Sequence, residues 1–287
     1  MSKLKYTFKT DILFKSLFVK NINLLENLVT QLLNIPADSV EQFELKNVEM
    51  PPDSISAKLS RLDILMKIDG RLVNIEVQVE GSDNFIPRAM YHWARVYSNA
   101  LPAGNDYEIL PQTIIISIVN FPLFHETKEF HSEFKPLEVN RYTVLSDKMV
   151  FHFFELTKLP AVIDRENRLL LWLALFSADT EEELDAIESL EVPEMSEAIK
   201  AYNSIVISPE FKYLEIQRDM ARIDEIQALN DAKKEGIREG IREGIREGES
   251  TSSRKIALTL LAESDFTVEK IAKITGLTES EVLQLRG

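Results

Sequence analysis

Arg61-Leu-Asp-Ile-Leu-Met-Lys-Ile68, Asp69-Gly70 and Arg71-Leu-Val-Asn-Ile-Glu-Val-Gln-Val-Glu80 make up the stretch on which the fold turns. Asp-Gly between two alternating apolar runs signals a β-hairpin, because both central residues of a type I′ turn need positive φ. A two-residue turn sets Ile68 opposite Arg71 and, stepping outward along both strands, Asp63 opposite Glu76. Alternation gives the same register. Leu62, Ile64, Met66 and Ile68 share one face with Val73, Ile75, Val77 and Val79, while Arg61, Asp63, Asn74, Glu76 and Gln78 take the other. A three-residue loop would pair Asp63 with Val77 and mix the faces. Directly opposed Cβ atoms lie roughly 4.5–5.5 Å apart, so two carboxylates there repel unless a cation sits between them. A divalent metal ion meets that need. An ordinary hairpin with its polar face in water is the alternative.

The chain of 287 residues has no cysteine, which leaves neither a disulfide framework nor a thiolate metal site. No stretch approaches the roughly 18 apolar residues of a membrane span, and the start lacks the apolar block of a secretory signal. The expected compartment is the cytoplasm, with no membrane partner. The net charge of −14 runs against nucleic-acid binding, but its distribution is uneven: nine acidic and no basic residues lie between Asp179 and Glu197, whereas the first twenty residues carry a side-chain charge of +4. Any DNA contact is therefore a local property.

Helical apolar spacing predicts helices from Asp11 to Val19, Asn23 to Leu33 and Asp83 to Ala100. Phe43 to Met50, the all-apolar Thr113 to Val119, Arg141 to Leu145 and Val150 to Leu156 read as strands. Strands with helices before and after them suggest an α/β sandwich. From Arg165 onward the pattern is helical, with a dense apolar helix at Leu169 to Phe176 and an acidic stretch after Asp179 that reads as a solvated amphipathic helix. Ser208-Pro209 opens a long helix reaching toward Gly248, with Ser as N-cap and Pro at the first position. It contains Gly236-Ile-Arg-Glu, Gly240-Ile-Arg-Glu and Gly244-Ile-Arg-Glu. Each Gly costs about 1 kcal/mol relative to Ala in a helix. The Gly and Ile rows suit either close helix-to-helix approach, hence a homo-oligomer, or a charged linker. The C-terminus reads as two short helices broken at Gly276, with Thr278 and Glu281 as a capping box. It is either a DNA-reading helix-turn-helix or a small packing element.

Asp63, Glu76 thirteen residues later and Gln78 as Glu-Val-Gln resemble the Asp…Glu-x-Lys core of the PD-(D/E)XK nuclease superfamily. Four further pieces are similar to the recombination-promoting nuclease (Rpn) family, also labelled PD-(D/E)XK nuclease family transposases. They are Thr10-Asp-Ile-Leu-Phe-Lys-Ser-Leu-Phe18, Phe85-x-x-Arg88-x-x-Tyr91, Gly104-x-x-Tyr107 before Pro111, and the Arg-Glu-Gly repeats. The resemblance implies an α/β restriction-endonuclease-like core, a mixed sheet flanked by helices, with a helical C-terminal arm. The expected division is a nuclease-like domain over 1–205, an arm over 206–250 and a helix-turn-helix-like element over 251–287.

The resemblance further implies a metal-dependent DNA endonuclease that hydrolyses phosphodiester bonds and promotes recombination or transposition-like events. Mg²⁺ or another divalent cation would be held by Asp63, Glu76 and the backbone carbonyl of Val77. Gln78 stands where the superfamily has lysine and supplies no positive charge; the hairpin register sets Arg61 opposite it as a replacement cation. Asp11 resembles the acidic residue of the superfamily's first helix, which implies an extra metal or water contact, and is equally well placed as an N-cap. Lys15, Arg88 and Tyr91 are the further substrate-binding candidates, with a solvated lysine and a helix face packed on the sheet as alternatives. The neutral Gln78 and the acidic balance keep a second function in view, a catalytically weak nuclease-fold protein that binds DNA or mediates assembly. His125 and His131 lack zinc-site spacing, and no phosphate-cradling glycine motif or nucleophile elbow occurs.

Overall fold

Asp69 and Gly70 adopt φ of 45° and 82°, as a type I′ turn demands. The strands they join pair Ile68 with Arg71 and continue in step to Ile64 with Ile75, which is the register the apolar alternation predicts. The computed structural model describes residues 2–46, 64–81, 83–263 and 265–286. Asp63 and Arg61, with their expected places opposite Glu76 and Gln78, lie outside the described residues.

In chain order the elements are α1 (Asp11–Lys20), α2 (Ile22–Leu32), β1 (Phe43–Leu45), β2 (Ile64–Ile68), β3 (Arg71–Gln78), α3 (Phe85–Asn99), β4 (Thr113–Val119), β5 (His131–Phe134), β6 (Met149–Glu155), α4 (Arg168–Ser177), α5 (Glu181–Glu188), α6 (Pro193–Ile207), α7 (Pro209–Glu263), α8 (Val268–Thr275) and α9 (Glu279–Gln284). The strands form one sheet in the order β1-β2-β3-β4-β6-β5. β3, β4 and β6 run parallel, and the outer pairs are antiparallel. A parallel step needs a crossover, and α3 supplies the one between β3 and β4.

Every residue of β4 is buried, because both sheet faces are covered. On one face α1, α2 and α4 to α6 pack Phe14, Phe18, Trp172 and Phe176 against Ile64, Met66, Ile75 and Ile116. On the other, α3 brings Phe85 and Ala89 onto Ile115, Val119 and Phe153. The polar face of the hairpin is therefore covered by α3 and not left in water. Asn74 and Glu76 are only 3% and 5% exposed.

Two expectations fail. Arg141 to Leu145 is not a strand; it makes a single bridge, Leu137 with Val144, and its residues are exposed. β5 takes the place beside β6, and Arg141 to Leu145 lies outside the six-stranded order. The acidic stretch is not one solvated helix. It forms α5 and the start of α6, and Leu184, Ile187, Met195, Ile199 and Tyr202 enter the core.

Two compact units are distinguished, residues 1–217 and 218–287. α7 starts with Ser208 Oγ accepting from Phe211 N at 3.2 Å and continues to Glu263, beyond the Gly248 limit of the sequence reading. In the second unit the end of α7, α8 and α9 meet around Ala257, Ile271 and Val282. Gly276, at φ 72°, closes α8 in the left-handed conformation, and Thr278 with Glu281 forms a capping box. Among the described residues, no helix is long and apolar enough to cross a membrane.

Candidate active site

α3 runs back along β3, and one helical turn of four residues advances about 6 Å, close to the roughly 6.6 Å between alternate residues of a strand. Arg88 and His92, one turn apart, thus fall against Gln78 and Glu76, two residues apart. The match explains why a helix face and a strand face form one site.

Glu76 sits opposite Ser117 in the parallel ladder. Ser117 Oγ donates to Glu76 Oε1 at 2.9 Å, and His92 Nδ1 lies 3.7 Å from Glu76 Oε2. A buried carboxylate is tolerated when polar groups replace its lost hydration, and the Ser117 hydroxyl does so at Oε1. Neither Ser117 nor His92 was legible as a site residue. Ser117 lies within an apolar run and His92 is a lone histidine on a helix, so only the strand register and the helix orientation give them meaning.

Gln78 is engaged at both ends of its amide. Oε1 accepts from Arg88 Nη2 at 2.7 Å, and Nε2 donates to the Glu80 carbonyl at 3.1 Å. Arg88 also lies over the Phe85 ring, 5.3 Å from its centroid. The cation beside Gln78 among the described residues is therefore Arg88, which sequence reasoning named only as a phosphate contact.

Backbone alternation places Val77. Leu72 N bonds to Gln112 O and Asn120 N to Gln78 O, so even-numbered β3 residues serve β4, and the Val77 carbonyl points to the opposite edge. That edge is paired by β2 up to Ile75. The Glu76 carboxylate and the Val77 carbonyl are oxygen donors, the kind Mg²⁺ takes. The described donors thus fit a hard divalent cation, with the second expected carboxylate, Asp63, outside the described residues. Among the described residues no group of three metal-ligating side chains occurs.

Asp11 opens α1, where a carboxylate complements the helix dipole. It does not act as N-cap; Thr10 holds that position, and its hydroxyl accepts from Thr7 N at 3.1 Å. Lys15, one turn further along α1 and 8% exposed, lines a cavity together with Asn74 and His92. Tyr91, 61% exposed, projects to solvent beside His92. The lysines of the first twenty residues do not form a common basic surface. Lys9 is buried in an ion pair with Asp179 at 2.8 Å, and Lys5 pairs with Glu215 at 3.3 Å.

His131 meets not His125 but His152, with Nε2 and Nδ1 3.0 Å apart and the rings stacked. Burial pushes the His152 imidazole down to about 4. The pair sits at β5 and β6, away from Glu76 on β3.

A family model described as PD-(D/E)XK nuclease family transposase matches residues 8–232, well over half of the chain and including the whole sheet. No curated protein and no solved structure matches it.

Proposed function

Because the chain belongs to the PD-(D/E)XK nuclease family transposases and has their α/β fold, we propose that it is a divalent-metal-dependent endodeoxyribonuclease. In this reading it hydrolyses phosphodiester bonds at Glu76 and promotes recombination- or transposition-like events. Membership itself carries a nuclease-type function. The observation that supports the finer reading is Glu76, a buried carboxylate fixed by Ser117 and flanked by His92 on a cation-bearing helix.

Asp63, Glu76 and the Val77 carbonyl would hold Mg²⁺, which when bound supplies charge stabilisation at the phosphoryl oxygens and an acidified water. The chain's own residues do the positioning. Ser117 fixes Glu76 Oε1 and His92 restricts the side of Oε2, so the carboxylate keeps one orientation as substrate arrives. Gln78 holds Arg88 through its amide oxygen, and Arg88 supplies the positive charge that lysine gives elsewhere in the superfamily. Lys15 meets substrate phosphate from α1, and Tyr91 contacts the strand from the exposed face of α3. Asp11, at the start of α1, would add a metal or water contact.

Incubation of supercoiled plasmid with the full chain and Mg²⁺ tests this reading; nicking is expected, with loss in Glu76→Gln. One observation favours the alternative of a catalytically weak DNA-binding or assembly protein: the Gln78 amide is engaged at both ends within the protein. Plasmid binding without nicking by the wild type establishes that alternative.

The arm fits self-association. Ile237, Ile241 and Ile245 on α7 are each more than half exposed, and a Cβ added at Gly236, Gly240 or Gly244 would meet open space. The chain's own packing does not call for glycine at these positions, whereas close approach of a second α7 does.

A further inference from the structure

A cavity of about 560 Å³ opens beside Glu76, between α3 and the face of β2 and β3 that α3 covers. Its charge is one-sided. Lys15, Lys46, Lys67 and Arg95 line it and, among the described residues, no Asp or Glu does, although acids outnumber bases 47 to 33 in the chain. Lys46 is held by Glu44 at 2.7 Å. Lys67 and Arg95 make no ion pair with a described residue.

Asn74 adds an independent sign of a ligand. Its side chain is 3% exposed and lines the cavity, yet Nδ2 finds no acceptor among the described residues. Buried donors are nearly always satisfied, so an acceptor from outside the protein is the natural partner. The remaining wall is mostly apolar, with Leu72, Val96, Ile109 and Pro111. A ligand with negative charge, a hydrogen-bond acceptor and an apolar part fits such a lining, and a nucleotide has all three. The volume lies in the small-ligand range of roughly 300–1,000 Å³, a size that admits a nucleotide.

His92 lines this cavity and also approaches Glu76, so the two spaces adjoin. We infer that the cavity receives an unpaired nucleotide of the strand whose neighbouring phosphate lies at Glu76, with Lys67 and Arg95 on the flanking phosphates and Asn74 donating to the nucleotide. The substrate class is single-stranded or locally unpaired DNA. The position of the reacting phosphate rests on the nuclease reading; occupancy of the cavity does not.

The test is fluorescence anisotropy of a labelled oligonucleotide with the full chain in EDTA, in which cleavage cannot occur. Three ligands are compared: the single strand, its duplex and a free deoxynucleoside monophosphate as competitor. Tighter binding of the single strand is expected, with weakening of at least tenfold in Lys67→Glu/Arg95→Glu. The milder Lys67→Gln/Arg95→Gln should lower the slope of log affinity against log salt by about 1.4, since each single-strand phosphate contact contributes roughly 0.7. Thermal melts establish that the variants fold. Equal or tighter binding of duplex, unchanged affinity in both double variants, or a monophosphate that competes as well as the oligonucleotide overturns the inference. The plasmid assay separates the two readings. Nicking without single-strand preference removes this inference alone, and single-strand preference without nicking removes the endonuclease reading alone.

Discussion

Arg88 on α3 donates to the Gln78 amide oxygen on β3 at 2.7 Å, bringing a permanent cation to the strand position where the superfamily carries lysine. The charge reaches the site from a neighbouring helix, and Gln78 positions it. Arg88→Ala should lower Mg²⁺-dependent nicking by about 100-fold, the loss seen when one electrostatic donor is removed from a site. Gln78→Lys alone should give no gain, because two cations would then be in contact. Gln78→Lys in the Arg88→Ala background should recover activity. Plasmid nicking by the three variants checks this, and equal activity of Arg88→Ala and wild type removes Arg88 from the mechanism.

Glu76→Gln preserves shape and removes the charge. It should abolish Mg²⁺-dependent cleavage and also abolish the rise in melting temperature that Mg²⁺ gives the wild type, since a ligand stabilises only the state that binds it. Scanning calorimetry with and without Mg²⁺ reads the second effect. A Mg²⁺-induced shift of wild-type size in the variant would place the metal elsewhere.

Ser117→Ala leaves one oxygen of a buried carboxylate without its 2.9 Å donor. Hydrogen bonds to charged groups contribute about 1.5–3 kcal/mol, so urea unfolding of the variant should show a loss of that order. Cleavage should fall as well, because Glu76 is no longer fixed. A fully stable variant with normal cleavage contradicts the positioning role.

His152 is pushed down to about 4 from its ordinary 6.5, first by burial and then by His131 and Lys135, with Glu133 opposing. The unfolded chain takes up a proton near pH 6.5 that the folded protein refuses until pH approaches 4. The stabilisation is thus full above pH 6.5 and is lost as pH falls through that window. Between pH 7 and pH 5 the loss should be about 2 kcal/mol. Urea titrations at the two pH values should show it in the wild type and show it reduced in His152→Phe.

Removal of residues from Asp231 onward deletes the exposed isoleucine row. Light scattering should then report a lower mass than for the full chain, with nicking retained. Identical monomeric masses at tens of micromolar would reduce the segment to a charged linker. A four-residue spacing drifts around the helix, so the contact should be a short crossing and not an extended coiled coil.

Local signals carried much of the fold. Asp69-Gly70 fixed a turn and the alternation of Ile64 to Ile75 fixed a register, because both are properties of neighbouring residues. The edge strand was not legible. Arg141 to Leu145 has a strand-like composition, but it is His131–Phe134 that pairs with β6, a fact about tertiary neighbours. The buried faces of α5 and α6 were obscured by seven acids in these helices, six of them exposed, while the apolar residues point inward. In the candidate site, Glu76 and Gln78 were proposed from their spacing, whereas Ser117, 41 residues after Glu76, required the parallel ladder.

That separation has a consequence for synthesis. A growing chain that has emerged only through β3 possesses Glu76 but neither the hydroxyl that orients it nor the helix that covers it. Both arrive with the crossover, whose closure brings distant segments together late and at an entropic cost. The residues proposed to cut DNA are therefore brought into register by completion of the central sheet, and a ribosome-bound fragment or a product truncated before β4 lacks the proposed arrangement.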